Sequence, residues 1–196
     1  MADSTTESAL NHELKLNQLY LAIIMRYKDT IEQGEHKSLA ELPALVTPKN
    51  EHVVKKADEI KGSLGMYIYN TAFYEASIDA FYFVKNNIDD ASMPLQFWQT
   101  PEETLSFGIG DTIDKNILLA SLLIALGNPS AKVIVHIRDN KRRILTYYEF
   151  ERKAYALDFS TGFKRYDNRE ELIRSLGMDA DSAAYEFNDS IYRDMA

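Results

Sequence analysis

Residues 108–127 read Gly-Ile-Gly-Asp-Thr-Ile-Asp-Lys-Asn-Ile-Leu-Leu-Ala-Ser-Leu-Leu-Ile-Ala-Leu-Gly. Polar side chains cluster in the first turn, and beyond it, Ser121 apart, apolar residues occupy nearly every side rather than one stripe. Ile113 to Leu126 is expected to be a helix closed by Gly127, and a helix apolar all round lies in the middle of a domain. Asp111 stands just before it, where a carboxylate caps free backbone N–H groups.

Three short runs rich in β-formers follow: Ala131–Arg138, Ile144–Phe150 and Ala154–Phe159. Asp139-Asn140 and Glu151-Arg152-Lys153 separate them, so an antiparallel meander is expected. Lys141-Arg142-Arg143 follows the first turn and reads as a solvated hairpin tip. Asn168–Leu176, with Glu170-Glu171 in its first turn and Gly177 after it, reads as a small helix on the sheet. Residues beyond Asp179 are expected to be loosely held.

Upstream, Leu10, Leu14, Leu19, Ile23, Ile24, Tyr27 and Ile31 recur at helical spacing, giving an amphipathic helix that Gly34 stops. Glu35–Asn50 carries Pro43 and Pro48 and reads as a connection with at most a turn of helix. Glu51–Ile60 is a candidate short helix, Met66–Tyr69 a strand or an extended lead-in, and Glu75–Ile88 a helix with Ile78, Phe81, Tyr82 and Val84 on one broad face.

The 196 residues are enough for one sizeable core, and 12 tyrosines and nine phenylalanines supply large packing surfaces. A net charge of −8 argues against a nucleic-acid partner. No window is apolar enough to span a bilayer, and Met1–Ser8 is polar and acidic, so no membrane partner and a cytoplasmic location are expected. The absence of cysteine excludes disulfides, thiolate metal sites and thiol nucleophiles. No HxH, HxxxH or HExxH spacing occurs for a metal, and Gly108-x-Gly110 lacks the context of a nucleotide fold, so no metal and no cofactor are expected. The pairs Asp89-Asp90, Glu102-Glu103 and Glu170-Glu171 fit helix starts and turns better than acid/base catalysis.

Phe97-Trp98-Gln99-Thr100-Pro101-Glu102-Glu103-Thr104-Leu105, then Gly108-Ile109-Gly110-Asp111-Thr112, then the apolar helix to Leu126-Gly127 and three strands, form an ordered pattern over residues 66–163. It resembles the transglutaminase-like superfamily. In that family a Trp and a Glu-rich turn precede a Gly-Asp-Cys signature, whose Cys opens the buried helix. A His opens the second strand, and an Asp, often followed by Ser or Thr, closes the third. The resemblance implies an α+β, papain-like fold, a buried central helix packed against a small antiparallel sheet, with extra N-terminal helices. The chain is expected to divide into a flexible N-terminus (1–9), a helical segment packed on the core (10–65), a transglutaminase-like core (66–178) and a C-terminal tail (179–196).

Carried over residue by residue, Asp158-Phe159-Ser160-Thr161 matches the Asp, Thr112 stands where the Cys would be, and Leu145 falls where the His would be. A cysteine at a helix N-terminus is activated by the dipole and a neighbouring imidazole. A threonine hydroxyl needs a base, and Ile144–Phe150 holds no His. Triad members act as a unit, and losing them costs on the order of 10⁴ to 10⁶ in rate. The triad positions Thr112, Leu145 and Asp158 are therefore read as vestigial, and Gln96, Trp98, Asp111, Thr112 and Asp158 as the cleft. The first expectation is an inactive domain whose cleft binds a peptide or another protein. The second is an amide hydrolase or acyl transferase using Thr112 with His136 or Glu149 as base. The third is a structural or homo-oligomeric role through the N-terminal helix.

Overall fold

The computed structural model describes residues 2–33, 39–91, 97–139, 141–179 and 182–195. In chain order the elements are α1 (Ala2–Gln33), a 3-10 turn (Leu39–Leu45), α2 (Glu51–Ser63), α3 (Tyr69–Asn87), β1 (Asp89–Asp90), α4 (Pro101–Phe107), β2 (Ile109–Gly110) and α5 (Thr112–Ala125). There follow β3 (Lys132–Arg138), β4 (Lys141–Phe150), β5 (Lys153–Asp158), β6 (Gly162–Tyr166), α6 (Arg169–Ser175), β7 (Ala183–Phe187) and β8 (Tyr192–Asp194).

α5 is the axis of the molecule. Ile113 to Leu123 are all buried, with α2, α3 and α4 on one side and the sheet on the other. Burial of each Leu or Ile here contributes about 2 kcal/mol. Its buried polar residues are engaged: Ser121 Oγ donates to the Ile117 carbonyl at 2.8 Å and accepts from the Thr47 amide at 3.1 Å. Asn116 Nδ2 donates to the Thr112 carbonyl at 2.7 Å, while its Oδ1 accepts from Thr146 Oγ1 at 2.8 Å, which ties the first turn of α5 to β4.

The antiparallel sheet runs in the order β6-β5-β4-β3-β7-β8. On its α5 face lie Tyr148, Tyr155 and Leu157 against α3, and Val133 and Val135 against Trp98, Ile113 and Ile117. On the opposite face α6 covers Ile134, Leu145, Tyr147, Ala154 and Ala156 through Leu172 and Leu176. The α1 helix rests on the small parallel pair β1-β2, burying Leu19 and Ile23 against Ala91, Phe97 and Ile109. Arg26 of α1 pairs with Glu103 of α4. This is the mixed α/β, transglutaminase-like architecture expected from the sequence.

Three local expectations change. The helix read as starting at Glu75 starts at Tyr69, six residues earlier, where Tyr69, Phe73, Tyr148 and Phe150 form a ladder of rings 5.0 to 5.5 Å apart. Met66–Tyr69 is correspondingly a lead-in rather than a strand. β4 begins at Lys141, three residues before the run of β-formers, because it pairs with β3 back to Arg138. The segment after Asp179 is no loose tail: β7 pairs with β3 over Ala183–Phe187, and Phe187 is fully buried. The α1 helix begins at Ala2, and the stop expected at Gly34 lies outside the described residues.

Candidate functional site

The first turn of α5 forms one wall of a cleft of about 540 Å³, lined among others by Trp98, Asp111, Thr112, Arg142, Arg143 and Asp158. The backbone reaches this point through Gly108, a left-handed helix cap at φ 63°, and Gly110. A Cβ on Gly110 would stand 3.0 Å from the Asp114 Cβ, so a glycine lets β2 approach the helix start closely.

Asp111 caps α5: its Oδ1 accepts from the Ile113 and Asp114 amides at 2.8 and 2.9 Å. Asp114 closes the capping box from below, its Oδ2 accepting from the Asp111 amide at 3.0 Å. It also accepts from the Gln99 amide at 2.8 Å and Gln99 Nε2 at 3.1 Å, which fixes the chain beside Trp98. Burial, then the charge of Asp111, pushes the Asp114 carboxyl well above its ordinary range. Burial raises Asp111 as well, against the amides that favour its charged form. Thr112, the first helical residue, is exposed at the cleft floor.

Asp158 closes β5 and organises the turn into β6. Its Oδ1 accepts from the Ser160 and Thr161 amides at 2.8 and 3.1 Å, and its Oδ2 from Arg143 Nε at 3.1 Å. Burial alone would raise this carboxyl, but the two amides and Arg143 outweigh it and hold it below the ordinary range. Trp98 is 5% exposed: it fills the core among Ile113, Ile117 and Val135 and also presents a surface to the cleft.

Trp98, Asp111, Thr112 and Asp158 thus come together, while Gln96 lies outside the described residues. Leu145 does not join them. It is 2% exposed in the apolar cluster beneath α6, and the β4 residues that line the cleft are Arg142, Arg143 and Ile144. The β4 side chain bonded to Asp158, as a triad's base is bonded to its carboxylate, is Arg143. A guanidinium has no acceptor and does not lose its proton, so it cannot serve as a base. The sequence signal for these arginines was the basic run itself, read as a solvated tip because it follows the Asp139-Asn140 turn.

The two alternative bases stand apart from the cleft. Glu149 is exposed at the other end of β4, about 17 Å along the strand from Ile144 at ~3.4 Å per residue. His136 lies opposite Arg143 on β3, outside the cleft lining; burial, then Arg143 and Arg138, lowers its pKa. Its Nε2 has no hydrogen-bond partner among the described residues. No group of three metal-ligating side chains, and no helix long and apolar enough to cross a membrane, occurs among the described residues.

Among solved structures the chain is similar to Legionella pneumophila LapG, a transglutaminase-like fold, at 16% identity. The TM-score is 0.53, with 81% of this chain and 88% of that one covered. The EGTA-treated form of LapG matches at 16% identity and TM-score 0.51, covering 82% and 87%. No protein-family model and no curated protein matches the chain. At this identity the likeness carries the fold alone.

Proposed function

We propose that the chain is a catalytically inactive transglutaminase-like domain whose cleft binds a peptide or a segment of another protein. One observation carries the reading: Asp158 is held by Arg143 and two backbone amides, in a cleft that stays open above Thr112. The chain has no thiol, and the cleft carboxylates Asp111 and Asp158 are both committed to backbone amides. A threonine without a base is a poor nucleophile. An open, partly apolar groove with a few fixed polar groups is the usual form of a binding site.

Thr112→Tyr tests this. An exposed helix start tolerates the ring, which fills the cleft. Loss of peptide binding with an unchanged melting temperature supports the reading, and unchanged binding contradicts it. Turnover of a peptide amide or ester by the parent that Thr112→Ala abolishes would instead favour the enzyme alternative.

The α1 helix favours a second reading, self-association. Leu10, Leu14, Leu21, Ile24 and Met25 are 54 to 76% exposed on the face turned away from Leu19 and Ile23. Leu14, Leu21 and Ile24 follow three-four spacing, with Asn17 between them, the pattern of a paired helix. Light scattering of the parent and of Leu21→Glu distinguishes the cases: a parent dimer that the variant dissolves supports pairing, and a parent monomer removes it.

A further inference from the structure

We infer that the cleft anchors its ligand through a carboxylate, held by Arg142 together with the free donors of Arg143, so that the bound segment is acidic. The inference rests on the cleft being a binding site and names what that site would take.

The polar groups of the cleft divide into spent and unspent ones. Asp158 receives three hydrogen bonds, and Asp111 receives two from backbone amides. Both carboxylates are thereby oriented toward donors of the chain itself, and Asp158 is also offset by Arg143. Arg143 bonds Asp158 through Nε, and its two terminal nitrogens make no hydrogen bond among the described residues. Arg142 is exposed and makes no hydrogen bond or ion pair among the described residues, although it lies close enough to Asp111 to favour that group's charged form. Two guanidinium forks beside an exposed threonine hydroxyl at the capped start of α5 form a donor-rich floor.

A second groove continues this surface. Arg143 and Thr161 also line a depression of about 290 Å³ with Phe163, Lys164, Tyr166 and Ser175. The two grooves share a lip, and its cations run Arg142, Arg143, Lys164. Arg142 and Arg143 face Asp111 and Asp158 in the cleft lining, so it is the surplus of unspent guanidinium donors rather than net charge that points to an anion held here. The apolar walls, Leu39, Val135 and Ile144, fit the stem or neighbouring residues of a peptide better than a small hydrated ion.

The test uses the full chain and its single tryptophan, Trp98, as a fluorescent reporter at the cleft wall. Three probes are titrated: a five-residue peptide alternating glycine and glutamate with both ends blocked, its glutamine counterpart, and pentaglycine with a free C-terminal carboxylate. Charge-assisted hydrogen bonds of this kind predict at least tenfold tighter binding of a carboxylate-bearing probe than of the glutamine peptide. Arg142→Gln, at an exposed position, should erase that preference without changing the melting temperature, and Arg142→Lys should retain part of it. Preference for the glutamate peptide supports an acidic segment; preference for pentaglycine keeps a carboxylate anchor but overturns the acidic segment in favour of a chain terminus.

Equal binding of the glutamate and glutamine peptides, lost in Thr112→Tyr but indifferent to Arg142→Gln, overturns the carboxylate anchor and leaves the cleft as a binding site. No response to any of the three probes contradicts the anchor and counts against the binding reading too.

Discussion

Asp114 and Glu186 are both 1% exposed, yet their carboxyl groups are pushed in opposite directions. Asp114, beneath the cleft, meets only neutral donors and a second carboxylate, so burial and the charge of Asp111 raise its pKa. Glu186 lies on the α6 side of the sheet. Burial would raise it as well, but Arg169 Nη2 at 2.8 Å and Tyr147 Oη at 2.7 Å donate to its Oε2 and bring it below its ordinary range. The same burial therefore holds a carboxyl back from ionising at one site and stabilises an ion pair at the other, according to whether a cation was buried with it.

The contrast is broken most severely by Arg169→Met. It strands Glu186 as a buried charge, with the Tyr147 hydroxyl, the more distant Arg193 at 3.6 Å and the field of Lys132 left to help, and is expected to cost about 3 kcal/mol by denaturant unfolding at pH 7. Acid should relieve the loss as Glu186 takes a proton. Asp114→Ala is the smaller break: it removes the capping box and leaves the Gln99 and Asp111 amides unsatisfied, about 2 kcal/mol by the same assay. Tyr147→Phe removes one neutral donor from Glu186 and is expected to cost about 1 kcal/mol.

The pH dependence sharpens the comparison further, because the two groups contribute opposite slopes. Glu186 has a folded pKa below its ordinary 4.5, so its contribution is present above 4.5 and is lost as pH falls through the folded value. Asp114 has a folded pKa above its ordinary 3.8, so the folded state binds the proton more tightly, and stability is lost as pH rises from about 3.8 through the folded value. Relative to the parent, Glu186→Gln should become worse as pH rises from 3 to 5, and Asp114→Asn should become better as pH rises from 4 to 7. Parallel slopes in thermal melts would contradict the assignment.

These differences also mark how far the sequence could be read. α5 was legible because its apolar residues surround it and because Asp111, Gly110 and Gly127 mark its ends locally. The β3–β5 meander was legible from its alternation and turns. β7 was not: Ala183–Phe187 has little strand character of its own and is held by pairing with β3 some fifty residues away. The early start of α3 at Tyr69 came from ring packing across the core, which no local propensity reports. At the site, Trp98, Asp111, Thr112 and Asp158 could be picked out through a family resemblance. Arg143 could not, since a basic residue after a turn reads as solvated until Asp158 is seen to meet it across the hairpin. Leu145 was misplaced for the same reason: with the strand start set at Ile144, the base position was sought two residues too far along.

The central claim is that the cleft retains a ligand and leaves it chemically unchanged. The most direct test is to incubate the protein with a mixed peptide library, isolate the complex by size exclusion, and weigh the retained peptides by mass spectrometry. The account predicts retained peptides of unaltered mass, enriched in acidic residues, and none retained by Thr112→Tyr. Peptides cleaved or joined by the parent but untouched by Thr112→Ala would contradict it.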